Sequence, residues 1–121
     1  MKFTREKTTA VMIRNVSDGA ICIGDDSFTS AVALTSEAIL GSWHDAPVAE
    51  LTGDHFAVLL ESEPELVVLG TGSETVFAPR ELVFAFARLG VGLEVMNTPA
   101  AARTFNVLAG DGRRIAAVLY V

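Results

Sequence analysis

Two short runs in the C-terminal half carry residue types that can hold an anion or a partner. Gly70-Thr71-Gly72 follows the apolar run Leu66–Leu69, and Thr98-Pro99 opens a helical run carrying Arg103 and Asn106. Glycines let a backbone approach a ligand closely, and the N–H groups at a helix start favour negative charge. Arginine adds planar, bidentate recognition of carboxylate or phosphate. Arg103 and Asn106, three apart, share an outward helix face, while Ala101, Thr104 and Leu108 line another. A mid-helix asparagine is a poor choice for helix stability alone, which favours a binding role. The bland alternative is that Asn106 satisfies a neighbouring backbone group and Arg103 pairs with an acid.

Complete catalytic patterns are missing. Gly70-x-Gly72 is followed by Thr75 where a dinucleotide fingerprint needs a third glycine, and no Gly-Lys-Ser/Thr follows, so a plain turn outweighs phosphate binding. His44 and His55 are the only histidines and form no metal-ligating pattern. No Gly-x-Ser-x-Gly elbow is present. The sequence thus assigns no catalytic residue, no metal and no cofactor. Cys22 is the single cysteine, which rules out an internal disulfide; within Ala20–Ile23 it reads as a small buried hydrophobe. Trp43 reads as core or rim packing, and the acidic stretch Glu61, Glu63, Glu65 around Pro64 as a solvated linker.

The elements that must position these residues are legible from punctuation. Val11–Val16, Ala20–Ile23, Phe28–Leu34 and a strand from Ala38 are short and joined by turn signals, as in an antiparallel meander. Thr52-Gly53-Asp54 starts a short helix through Glu61, with Asp54 as N-cap and Phe56, Leu59 and Leu60 inward. Leu66–Leu69 is continuously apolar, as expected of a strand covered on both faces. Pro79 opens a helix that Gly90 closes, and its Leu82, Val83, Phe84, Phe86 and Leu89 predict substantial burial. Val91–Met96 is the next strand; Thr98 as N-cap with Pro99 starts a helix to about Ala109, and Arg113–Val121 is the last strand. Strand, helix, strand, helix, strand implies a parallel βαβαβ unit with right-handed crossovers. The expectation is one α/β domain over residues 1–121, with a mixed sheet that the N-terminal antiparallel strands extend or pack against.

Composition bounds the rest. The 121 residues suit a single core, and half of them are hydrophobic, which excludes a disordered chain. No apolar run approaches the ~20 residues of a spanning helix. Residues 1–65 hold eleven acids and four bases, while residues 66–121 hold four acids and five bases. Neither half has the basic excess that nucleic-acid binding requires. The polar start Met1–Thr9 carries no secretory or transit pattern, so the expected compartment is the cytoplasm.

Three segments carry a family likeness: Val67–Gly72, Leu89–Thr98, and Ala101–Leu108 together with Gly112–Ala117; Ile39–Trp43 fits as well. They resemble a family of small domains of unknown function that includes the mitochondrial respiratory complex I assembly factor 3 and an adipogenesis-associated single-domain protein. The resemblance implies a layered β/β/α fold and no established catalytic activity. Its motif positions here are Gly70, Thr71, Gly72, Thr98, Arg103, Thr104 and Asn106, as a pocket of undefined ligand, with Asn97 standing where an aspartate is expected. Two functional readings follow. The chain is either a non-enzymatic binding or assembly module that offers the Arg103/Asn106 surface to a protein partner, or a binder or weak enzyme for a small anion at the strand ends. Neither reading fixes an oligomeric state.

Overall fold

The structure, a computed structural model, describes residues 11–121; the reading of the first nine residues lies outside that range. The N-terminal strands do both things open to them. Strands β1 (Ile13–Ser17), β2 (Ala20–Ile23) and β3 (Asp26–Phe28) form a separate antiparallel sheet, while β4 (Val32–Thr35) and β5 (Ile39–Ser42) join the central one. The break falls inside the run expected to be one strand from Phe28 to Leu34. Its inward residues therefore serve two different sheets.

The central sheet has the order β5-β4-β8-β6-β7, built with β6 (Leu66–Thr71), β7 (Gly92–Met96) and β8 (Ile115–Tyr120). β6 runs parallel to both β7 and β8, and β4 pairs antiparallel with β8. Because β7 and β8 flank β6 on opposite sides, right-handed crossovers must place their helices on opposite faces of the sheet. The helix α3 (Thr98–Gly110) lies with β1–β3 on one face, where Phe105, Ala101, Ile21, Ile23, Val68 and Leu119 form one core. Helix α2 (Arg80–Leu89) and the connection through residues 48–60 cover the other, with Phe56, Leu59, Leu82 and Phe86 against Val67, Leu69 and Val118. Alternate residues of β6 and β8 thus face two cores, which is why both strands are apolar throughout. The molecule is one α/β domain with antiparallel and mixed sheets.

Local signals were partly misplaced. The expected helix from Asp54 is a 3-10 turn, Gly53–Phe56, continued by one α-helical turn, α1 (Ala57–Leu60). Its cap is Thr52, whose carbonyl accepts the His55 N–H at 3.1 Å, while the His55 ring accepts the Thr52 N–H at 2.9 Å. Pro79 occupies the N-cap position of α2 instead of its first turn, and Gly90 closes it in the left-handed conformation with φ 72°. α2 is less buried than its composition suggests: Leu82 and Phe86 are inside, but Val83, Phe84 and Leu89 are exposed. Cys22 is half-exposed, because Ile21 and Ile23 take the inward positions of β2.

Glu63, after α1, holds a left-handed conformation (φ 54°) that costs a residue with a Cβ. Glu63→Gly should leave stability unchanged or raise it by up to about 1 kcal/mol, since relief of strain outweighs the added chain entropy. A fall in the urea midpoint would contradict that account.

Candidate functional site

The glycine turn and the start of α3 meet at the carboxyl ends of β6, β7 and β8. Thr98 binds there in three directions. Its backbone N–H donates to the Gly72 carbonyl at 2.8 Å, its hydroxyl oxygen accepts the Gly72 N–H at 2.8 Å, and the hydroxyl donates to the Tyr120 carbonyl at 2.7 Å. Thr98 is not the N-cap. Asn97 is, accepting the Ala100 N–H on Oδ1 at 2.9 Å, and Thr98 is the first helical residue, buried. The Asn97 carbonyl accepts the Ala101 N–H, and Pro99 has no N–H, so every donor of the first turn is engaged within the chain.

The neighbouring crevice, between β6 and β7 whose crossovers diverge, is where open α/β sheets usually bind ligands. Here the chain fills it. Thr71 Oγ1 donates to the Glu74 carbonyl at 2.6 Å and accepts the Val76 N–H at 3.1 Å, folding the following loop over the strand end. Gly70 serves the same closeness: a Cβ there would lie 2.9 Å from Thr98 Oγ1 and 3.0 Å from Ala101 Cβ. Gly72 has φ 100°, a conformation that favours glycine. These three residues build the junction of strand and helix.

Asn106 lies on α3 beside the edge strand β1. Its Oδ1 accepts the Ile13 N–H at 3.0 Å and its Nδ2 donates to the Ile13 carbonyl at 2.8 Å. The amide acts as a strand neighbour for one residue, covering an edge that would otherwise present unpaired groups. Its mid-helix position was the signal, and the bland alternative explains it. Thr104 donates its hydroxyl to Met96 Sδ at 3.4 Å, a weak bond that turns it toward β7. Asn106→Leu should cost about 1–3 kcal/mol, because both Ile13 groups lose their partner where water reaches them poorly. Amide exchange at Ile13 is the direct readout. It should accelerate more than exchange in β8.

Arg103 differs from the rest. It is exposed, and among the described residues it has no ion pair or hydrogen bond. It borders a hollow of about 300 Å³ lined also by Arg14, Asn15, Val16, Pro99 and Asn106. Val16 and Pro99 also line a second hollow of about 350 Å³, which extends to Gly72, Ser73, Thr98 and Val121. The glycine turn and the Arg103 helix therefore border one continuous concave surface between the β1–β2 turn and the start of α3. Of the other arginines, Arg113 pairs with Glu65, Arg114 donates to the Glu63 carbonyl and Arg14 lies 3.6 Å from Asp25, whereas Arg80 and Arg88, on α2 across the sheet, are exposed and without an ion pair among the described residues.

On the opposite face of the sheet, Tyr120 donates its hydroxyl to the Ala46 carbonyl at 2.7 Å and accepts from Trp43 Nε1 at 3.1 Å. Burial pushes its pKa above the usual phenol value, against a smaller lowering by Trp43. A phenol pKa raised by folding contributes stability that is complete below about pH 10 and lost as pH rises through the folded value. Tyr120→Phe should therefore flatten the alkaline limb of the stability curve. At neutral pH it should cost about 1–2 kcal/mol, since two polar groups lose a partner. An alkaline limb identical in both proteins would refute the assignment.

Among the described residues no group of three His, Cys, Asp or Glu side chains gathers as a metal site, and no helix is long and apolar enough to cross a membrane. The chain is 31% identical over 117 residues to the human NADH dehydrogenase (ubiquinone) 1 alpha subcomplex assembly factor 3, covering 95% of this chain and 63% of that protein. It thus spans somewhat less than two thirds of that relative's length. A crystal structure of a protein from Bordetella parapertussis superposes with a TM-score of 0.86 at 31% identity, over 95% of this chain and 98% of the other. An NMR structure of a Xanthomonas campestris protein matches with a TM-score of 0.86 at 28% identity, over 100% and 92%. The model of a family described as a protein of unknown function, DUF498/DUF598, matches residues 13–120, and the chain belongs to that family.

Proposed function

We propose that the protein is a non-enzymatic, assembly-type binding module that receives an acidic segment of a protein partner on the concave surface beside Arg103. One observation carries this reading. The hydrogen-bond donors that a buried small anion would need, at Gly72 and in the first turn of α3, are engaged internally, whereas Arg103 is exposed and free among the described residues. A cation beside a shallow hollow suits a carboxylate presented from outside better than a sequestered metabolite. The name of the human relative, an assembly factor, supports a protein partner. We place the module in the cytoplasm as part of the same reading, because a lone half-exposed Cys22 thiol suits a reducing compartment.

Arg103→Glu tests it with little disturbance of the fold, since the exposed side chain makes no ion pair or hydrogen bond among the described residues. Partners captured by the wild type in its own cells should be lost or sharply reduced with this variant, and identical partner sets would sink the proposal. A thermal-shift series with millimolar phosphate, nucleotides and dicarboxylates separates the anion reading. Stabilisation by one of them that Arg103→Glu abolishes would favour a small-molecule binder.

A further inference from the structure

We propose that the outer face of α2 is a self-association surface, on which a second copy of this chain docks by pairing α2 antiparallel to α2 about a two-fold axis near Phe84. The helix buries Leu82 and Phe86, the latter edge-on to Phe56 at 5.1 Å, and turns Arg80, Phe84, Ala87 and Arg88 to solvent with Val83 and Glu81 at their flanks. Phe84 is 52% exposed and Val83 46%, and Phe77, just before the helix, is 92% exposed. Phe84, half exposed in the middle of this helix face, belongs to neither core of the described residues. Covered by a second copy it would be removed from water.

The charges choose the occupant. Glu81 and Arg88 are seven residues apart, two helical turns, and so lie on the same flank of α2 with Phe84 midway between them. A two-fold axis between positions 84 and 85 reverses one helix against the other. It brings Glu81 level with the partner's Arg88, Arg88 level with the partner's Glu81, and the two Phe84 rings together at the centre. In a parallel pair this flank of each helix would lie on the opposite side of the seam from its symmetry mate, so the Glu81–Arg88 pairs form only in the antiparallel arrangement. Among the described residues neither Glu81 nor Arg88 has an ion pair within the chain, so both are available. α2 lies across the central sheet from the Arg103 hollow, which leaves that surface open in the dimer. A ten-residue helix is only about 15 Å long, below the span of a standard interface of roughly 800 Å² per partner. The dimer is therefore weak and concentration-dependent.

Sedimentation equilibrium of the full chain, from about 5 μM to about 1 mM, reads this directly. The wild type should dimerise within that range. Glu81→Arg and Arg88→Glu should each raise the dissociation constant about tenfold or more, as each sets like charges across the axis. The double reversal Glu81→Arg with Arg88→Glu should bring it back to within about threefold of wild type, because the pairing is restored with its signs exchanged. Both side chains are exposed, so unchanged circular dichroism spectra will show that the variants fold. A wild type monomeric throughout the range, a dimer that either single reversal leaves unchanged, or a double variant as weak as the singles would overturn the proposal.

Discussion

Thr98→Val should destabilise the protein by about 2–4 kcal/mol although the two side chains have nearly the same shape. The hydroxyl bridges two backbone groups that have no alternative: it accepts from Gly72 N–H at 2.8 Å and donates to the Tyr120 carbonyl at 2.7 Å. Thr98 is 1% exposed, so water cannot replace the lost oxygen. Leaving one buried donor and one buried acceptor unsatisfied costs about 1–3 kcal/mol each, and local relaxation recovers part of that. For a chain of this length the loss corresponds to a fall in Tm of roughly 10 °C. Thr98→Ser, which keeps the oxygen and drops only a methyl, should lose about 1 kcal/mol. That contrast assigns the effect to hydrogen bonding and not to volume. If valine and serine variants melt together, the bridge is not what joins the strand ends to α3. The same variant bears on function. A ligand held by Thr98 would protect the valine variant less than wild type, whereas a purely structural Thr98 predicts equal ligand shifts in both.

The division between what the sequence discloses and what it withholds follows the range of the interactions. The βαβαβ unit was readable because its signals are local. Leu66–Leu69 is apolar at every position because both faces are covered; Pro79 and Gly90 bracket one helix, and a proline near the start of α3 marks the other. The parallel pairings follow from that order by the handedness of crossovers. The family resemblance, resting on segments from Val67 to Ala117, falls within the residues 13–120 matched to the family. What stayed hidden depends on partners far along the chain. Asn106 looks free on a helix until Ile13, 93 residues earlier, is placed against its amide. Thr98 looks like a cap because Ser and Thr often are; only the arrival of Gly72 and Tyr120 shows that its hydroxyl is needed elsewhere, and Asn97 does the capping. The exposure of Phe84 was hidden for a different reason. Hydrophobic content predicts burial only when something covers the helix, and one face of α2 has no cover among the described residues. Of the candidate residues, Gly70, Thr71, Gly72, Thr98, Thr104 and Asn106 are engaged in internal packing or hydrogen bonds, and Arg103 alone is left for an outside group.

The closeness of α3 to β6 leaves no room for a side chain at Gly70. A Cβ added there meets Thr98 Oγ1 at 2.9 Å and Ala101 Cβ at 3.0 Å, both on α3, and Leu119 Cδ2 of β8 at 3.0 Å. Leu119 Cδ2 ends a flexible side chain and can turn aside, but Thr98 Oγ1 is fixed by its two hydrogen bonds and Ala101 Cβ by the helix backbone. The added methyl must therefore push α3 away from the sheet. Overpacking of this kind costs about 1–3 kcal/mol for one methyl in a rigid site, and Gly70→Ala should reach the upper end of that range. Gly70→Val adds two more carbons against the same atoms and should leave little folded protein at 37 °C. A double-mutant cycle locates the clash. Ala101→Gly alone should cost about 1 kcal/mol through helix propensity, but combined with Gly70→Ala it removes one of the two rigid obstacles. The pair should thus be more stable than the sum of the single effects by about 1 kcal/mol or more. Strict additivity would mean that α3 yields without strain. The Thr98 bridge would then have to be loose as well, because the same helix displacement that accommodates the methyl lengthens the bonds from Thr98 to Gly72 and Tyr120.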